Sequence, residues 1–484
     1  MPIIPGAPVA KSVRPQYNVG CLMDHPSGSY LLGRHGESIL NSGLNLVNGI
    51  IGPQNSFKTA LALYLFLTVL SRYIGSMLVI YDTEGSFSYT RLNRMFRNIE
   101  RLKDLVVSSE DSDRVHLVEG VEMLGDDFFK LVKDLSVERK KDGKGEQKTS
   151  PFVGSMEELV KIKPVIMVLV DSLTEFKVSS VEDKIVDKNN IGEGGANTQF
   201  MKEAAAKAQY IRQLANLAAS GGMVFGNVAH TGRKIEMDQY APKDAKLTHS
   251  RKGAVTKGVT EKFEFINNNL WEIFGVKVLW NSSSDKTAKY PLYDSDRIEG
   301  CTDLNIVTVV QTRSKGGPSG FRFEFVFSQE EGLLEGLTQF NYIKEVRKGF
   351  GISGNNVNYS LDLLPDVVLS RTKIRGLLKE NYSLCRAMEI TSDMAQMQQL
   401  WRLEGKYVVS PAQLREELEK LGYDWDVLLD TRSWWCFEED AKGERPFLST
   451  MDLLRMRTGE YVPYWLPKEK QKEIVNTFDK IHGK

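Results

Sequence analysis

Gly52-Pro53-Gln54-Asn55-Ser56-Phe57-Lys58-Thr59 differs at one position from the phosphate-cradling pattern G-x-x-x-x-G-K-[ST], because Phe57 stands where the second glycine belongs. In such a loop the backbone amides turn around a phosphate, Lys58 reaches its outer oxygens, and the Thr59 hydroxyl holds Mg²⁺. The flanks supply the context that the pattern requires. Leu44 to Ile51 is an apolar run that reads as a buried strand, and Ala60 to Tyr73, rich in Leu and Ala, reads as a buried helix. Strand, loop and helix in that order favour a nucleotide site over an ordinary Gly-Pro turn before a core helix. Only glycine is at ease with positive φ, so Phe57 implies either a loop with negative φ there or a strained one.

The chain has 484 residues, enough for two or three domains. Its 63 basic residues balance 63 acidic ones, so any nucleic-acid contact must come from local patches. Cys21, Cys301, Cys385 and Cys436 lie far apart, without the close pairs of a zinc site, and read as reduced thiols. Met1 to Gly6 lacks an export pattern, and the longest apolar run, Ala60 to Leu70, is too short to span a bilayer. A soluble, intracellular protein without membrane partners is expected.

Residues 1–43 hold several Pro and Gly and read as an N-terminal arm, a candidate oligomerisation segment. From 44 to 345 short apolar runs (Met77 to Tyr81, Val165 to Val170, Met223 to Val228, Asn305 to Val310) alternate with helical ones, the pattern of an α/β fold with strands covered on both faces. Within it, 138–150 is rich in Lys, Gly and Glu and reads as an exposed insertion. Asn305 to Gln311 and Phe321 to Phe327, joined by a Gly- and Pro-rich turn, read as a hairpin that closes the sheet. Residues 346–484 change texture toward helices with scattered Trp and read as a separate, mainly helical C-terminal domain.

A nucleoside triphosphatase needs a carboxylate at a strand end for the metal and another group to polarise water. Asp171, after the apolar strand Val165 to Val170, fits the first need; its alternative is a helix cap. Glu84, just beyond Met77 to Tyr81 in Tyr81-Asp82-Thr83-Glu84, fits the second as general base; its alternative is a first-turn glutamate favoured by the helix dipole.

Together these motifs resemble the RecA-type recombinases, and most the phage UvsX branch, whose phosphate loop also reads G-P-x-x-S-F-K. The resemblance covers roughly 44–345. Tyr81-Asp82-Thr83-Glu84 resembles that family's Y-D-S-E, whose glutamate is catalytic, and Asp171-Ser172-Leu173 its D-S-L. Ala229-His230-Thr231 resembles the phage N-H-T, which implies that His230 senses the γ-phosphate and communicates with DNA. The resemblance implies a RecA-like P-loop ATPase core with ATP and Mg²⁺ as cofactors and Gly52 to Thr59 around the phosphates. It further implies that two loops bind DNA. Thr231 to Lys262 fits the second, with eight cations against four carboxylates, and Arg233, Lys234, Arg251, Lys252 and Lys257 are its candidate contacts. The first is expected within Ser179 to Phe200. Val310-Gln311-Thr312-Arg313 resembles a phage V-x-K-S-R segment, implying that Arg313 completes a neighbouring subunit's ATP site, with Lys315 as substitute; Gln311 stands in place of a second cation. The family's adenine-stacking Tyr is replaced by Arg91, whose guanidinium can stack.

The function so implied is an ATP-dependent DNA recombinase and DNA-dependent ATPase that forms helical filaments on single-stranded DNA and exchanges strands with a homologous duplex, in recombination and repair. Single-strand-binding and mediator proteins are its expected partners, and the cytoplasm, of the host cell if phage-encoded, its expected location. The alternatives are a RecA-core DNA motor or helicase, and a weakly hydrolysing paralogue that acts as a DNA-binding or partner-binding protein.

Overall fold

The computed structural model describes residues 13–99, 101–105, 114–141, 147–154, 157–177, 196–233, 247–260, 262–355 and 357–483. Its centre is a ten-stranded sheet built from β1 (Val47–Gly52), β2 (Met77–Asp82), β3 (Val115–Glu119), β4 (Ile166–Asp171), β5 (Met223–Arg233), β6 (Ala254–Thr256), β7 (Asn269–Val278), β8 (Leu304–Ser314), β9 (Arg322–Ser328) and β10 (Gly332–Leu333). The order is β10-β9-β8-β7-β1-β5-β4-β2-β3, with β6 paired to β5. From β7 to β3 all neighbours are parallel. The hairpin of β8 and β9 extends β7 in antiparallel fashion, as its turn-dense sequence predicts.

The apolar runs lack polar alternation because both faces of the sheet are covered, and successive residues feed different cores. In β4, Met167 and Leu169 join one hydrophobic cluster and Ile166, Val168 and Val170 the other; in β2, Leu78 and Ile80 oppose Val79 and Tyr81. Helix α1 (Lys58–Arg72) lies on the first face, and α3 (Gly125–Lys141) and α4 (Ala196–Gly221) contribute to the second. Helix α2 (Tyr89–Arg97) follows β2, held at its start by Ser88 Oγ, which accepts from the Arg91 N–H. Contact of α1 with the sheet is close: a Cβ at Gly226 would lie 2.3 Å from Cζ of Phe66.

The C-terminal region opens with three antiparallel strands, Ile352–Gly354, Asn358–Leu361 and Leu364–Ser370. Helices follow, among them α5 (Ile374–Glu380) and α6 (Tyr382–Leu400). No break in the core marks the boundary expected at 345, since one hydrophobic cluster runs from the α1 face of the sheet through Leu384, Trp435 and Ile474. Residues 13–43 lie in the same layer: Val19, Leu22 and Met23 are buried, and the Gln16 carbonyl accepts from the Trp435 indole at 2.9 Å.

The expectation of an exposed insertion over 138–150 needs correction at its described ends. Residues 138–141 finish α3, and Lys148–Val153 pairs with Leu159–Ile162. Glu138, Lys140, Lys141 and Gln147 are exposed as expected, whereas Lys148 binds both oxygens of Asp440 at 2.8 Å and Ser150 is fully buried, so the far end of the stretch contacts the C-terminal layer.

Candidate active site at the carboxyl edge of the parallel strands

Four adjacent parallel strands bring the site together. Gly52 at the end of β1 is in register with His230 of β5, and Asp82 at the end of β2 with Asp171 of β4. Side chains just past these positions face a cleft of about 1120 Å³ outside the carboxyl ends of the strands, the edge where open parallel sheets bind ligands.

The loop from Gly52 to Lys58 turns through two left-handed residues, Asn55 at φ 55° and Phe57 at φ 63°. Phe57 therefore takes the conformation a glycine would, and its ring packs 5.3 Å from that of Phe327. The Pro53 carbonyl accepts from Ser56 Oγ at 2.6 Å and also from Lys58 Nζ. Burial lowers the Lys58 pKa, opposed by the nearby charges of Asp171 and Glu84. Thr59 Oγ1 donates to Asp171 Oδ2 at 2.5 Å. Burial pushes the Asp171 carboxyl up to about 6, against the Thr59 hydrogen bond and with the added repulsion of Glu84 and Asp82.

Asp82 is spent on structure, accepting from the backbone N–H groups of Glu84 and Phe87 and so shaping the turn that presents Glu84. Thr83 Oγ1 both accepts from Ser172 N and donates to Ser172 O, at 2.8 Å each, tying the ends of β2 and β4 together. Glu84 Oε1 receives Ser172 Oγ and His230 Nε2, each at 2.6 Å. Partial burial opposes ionisation of Glu84, but these hydrogen bonds and the charges of His230 and Lys58 hold its pKa below the usual carboxylate value. No described residue hydrogen-bonds Oε2, which leaves one oxygen of a fixed carboxylate for a water.

The Thr59 hydroxyl and Asp171 carboxylate form a hard-oxygen pair suited to Mg²⁺. Among the described residues no group of three or more His, Cys, Asp or Glu is placed to hold a metal, so such an ion would take its other ligands from substrate and water, as Mg²⁺ commonly does.

His230 sits where β5 leaves the sheet. Beyond it, Thr231, Gly232 and Arg233 pair with Thr256, Val255 and Ala254 to form a ribbon, and the His230 carbonyl accepts from Lys257 N at 2.8 Å. Arg233, Lys252 and Lys257 are exposed on this ribbon. Arg251 differs: its guanidinium binds the carbonyls of Ile273 and Phe274 and stacks 5.0 Å from the Phe274 ring, so it is already engaged within the fold. Lys234 and most of the expected first loop, 179–195, lie outside the described residues.

Arg91 lines the cleft with its guanidinium on the Ser86 carbonyl at 3.0 Å. Arg313 does not line the cleft of its own chain. Its Nε donates to the Asn267 carbonyl at 3.2 Å, and Lys315 Nζ donates to the Ile266 carbonyl at 3.1 Å, so both cations crown one turn before β7. Gln311 is buried and reaches Asn269 Oδ1 at 3.4 Å. The sequence motifs assign no role to Thr83 or Ser172 and do not point to the wall made by Ser328, Gln329, Glu330 and Gly332.

Fold and site define an α/β protein with a mostly parallel central sheet and a polar cleft, rich in loop amides and acid-base groups, at its carboxyl edge. No family model matches the chain, and no curated protein matches it. Among solved structures it is similar to the RadB recombinase, at 16% identity and a TM-score of 0.31, over 60% of this chain and 92% of that one. A likeness that distant transfers no function.

Proposed function

We propose that the chain is an ATP-dependent DNA recombinase of the RecA type, similar to the phage UvsX branch, which forms filaments on single-stranded DNA and exchanges strands. One observation carries the reading: the Glu84 carboxylate that faces the phosphate loop is hydrogen-bonded to His230, and His230 is the last residue before a cationic ribbon. A group that contacts the reacting end of a nucleotide is thereby joined to a surface suited to a polyanion.

In this reading the amides of Gln54 to Thr59 and the Lys58 ammonium hold the ATP phosphates, with Arg91 toward the base. Lys58 gives up the Pro53 carbonyl when phosphate arrives. Thr59 and Asp171 would hold Mg²⁺, which supplies charge neutralisation on the phosphates. Glu84 orients and deprotonates the attacking water through Oε2. His230 exchanges its hydrogen bond between Glu84 and a phosphate oxygen, and that movement shifts the ribbon bearing Arg233, Lys252 and Lys257. Arg313, absent from its own cleft, completes the site of the next subunit in a filament. Single-stranded DNA is held electrostatically, and base pairing reads homology.

Electron microscopy of the full chain with ATP and single-stranded DNA tests this, together with a strand-exchange assay. Helical filaments and joint molecules are expected. Closed rings that unwind duplex DNA would replace the recombinase reading with that of a motor, and neither assembly nor exchange would leave a DNA-binding paralogue.

A further inference from the structure

The wall of the cleft at 328–332 is not held by the sheet alone. Asp303 Oδ1, at the start of β8, accepts from Ser328 Oγ at 2.7 Å, from Gln329 N at 2.9 Å and from Glu330 N at 3.3 Å. The other oxygen of the same carboxylate, Oδ2, pairs with Arg375 of α5 at 3.2 Å. Arg375 also binds Glu331 Oε2, through Nε at 3.1 Å and through Nη2, the nitrogen that meets Asp303, at 2.6 Å, while its Nη1 binds Asp296 Oδ2 at 3.1 Å. Its side chain is 2% exposed. Glu331 Oε1 in turn receives Tyr293 OH at 3.0 Å and the Lys379 ammonium. One guanidinium from the C-terminal region thus fixes three carboxylates on three separate segments, and two of these carboxylates set the position of the cleft wall.

This wall lines the same cleft as Glu84 and is carried by the turn between β9 and β10. It touches α2, whose Arg91, Arg94 and Met95 also line the cleft: Arg94 approaches Glu330 at 3.5 Å and Asn98 Nδ2 donates to the Glu330 carbonyl at 3.5 Å. With phosphates at Lys58 and Thr59 and the attacked end toward Glu84, the nucleoside end falls between α2 and 328–332. A planar fork of five donors can serve all three carboxylates at once, which a lysine ammonium cannot do with the same geometry.

We propose that Arg375 is a positioning residue: through Asp303 and Glu331 it holds the 328–332 wall, so that nucleotide affinity depends on the C-terminal helix α5. The proposal rests on the reading of the cleft as an ATP site. It makes the C-terminal layer a part of nucleotide recognition, and any ligand that displaced α5 would loosen the nucleotide without touching the phosphate loop.

The test is Arg375→Lys in the full chain, which keeps the buried charge while removing the fork. Expected are a roughly tenfold loss of affinity for a fluorescent ADP analogue and a similar rise in KM for ATP, with kcat within about twofold of the natural chain, since Lys58, Glu84 and His230 are untouched. Unchanged ADP affinity in a variant that still melts cooperatively overturns the proposal. Hydrogen exchange of the natural chain gives a readout that needs no variant: ADP should slow exchange in both 328–332 and 374–380, and protection of the first segment without the second overturns it as well. A natural chain that binds no ADP removes the nucleotide reading itself, and this inference with it.

Discussion

Phe57 occupies a left-handed position that costs a residue with a Cβ about 1 kcal/mol, and its ring recovers part of this by packing on Phe327. Phe57→Ala and Phe57→Gly both lose the ring, but only alanine keeps the Cβ. The glycine variant should therefore be more stable than the alanine variant by about 1 kcal/mol in chemical denaturation, the reverse of their usual order. Equal stability, or alanine ahead, would mean that the loop does not hold this conformation in solution. Lys58, Thr59, Glu84, Asp171 and His230 were legible because each follows an apolar run whose end fixes its place at the edge of the sheet. The Ser172 and Thr83 clamp and the engagement of Arg251 were not legible, because each depends on a partner from another strand.

At the scale of elements, the phosphate loop's flanks, the sheet strands with unbroken apolar runs and the closing hairpin could be read from sequence. Strands β3, β6, β7 and β10 could not. β3, Val115-His116-Leu117-Val118-Glu119, is short and mixed in polarity because it is the edge strand. β7 is interrupted by Glu272 and Gly275, yet lies at the centre between β1 and β8; Glu272 is buried there and accepts from Arg251 N at 3.1 Å. The pairing of β5 with β6 was also hidden, as it joins residues some twenty apart across a polar stretch. With Arg251 taken, the expected DNA contact falls on Arg233, Lys252 and Lys257 of that ribbon. Lys252→Ala with Lys257→Ala should weaken single-stranded DNA binding and lower the slope of log affinity against log salt by about 1 to 2. An unchanged slope would take the ribbon out of the DNA path.

Across the whole molecule the sequence suggested three regions, and the fold joins them through one shared core. The join also has polar ties. Asp452 Oδ1 accepts from Ser38 N at 2.8 Å and from Arg455 at 3.1 Å, linking the C-terminal layer to residues 13–43. Burial pushes the Asp452 carboxyl up to about 6, against hydrogen bonds from Ser38 and Ser449 and the charge of Arg455. A raised carboxyl favours the protonated form in the folded chain, so its stabilising contribution is complete below the ordinary carboxylate range and fades as pH rises through about 6. Relative to the natural chain, Asp452→Asn should gain about 2 kcal/mol in unfolding free energy between roughly pH 4.5 and 7.5. A constant difference over that range would show the group ionised in the fold. In the proposed function the cleft hydrolyses ATP under the control of bound DNA. Among the described residues no helix is long and apolar enough to cross a membrane. The decisive measurement is the ATPase rate of this chain and of Glu84→Gln, each with and without single-stranded DNA. DNA should stimulate the natural chain, and the variant should lose nearly all activity while still binding ATP. A rate indifferent to DNA, or a variant as active as the natural chain, would contradict the proposed function.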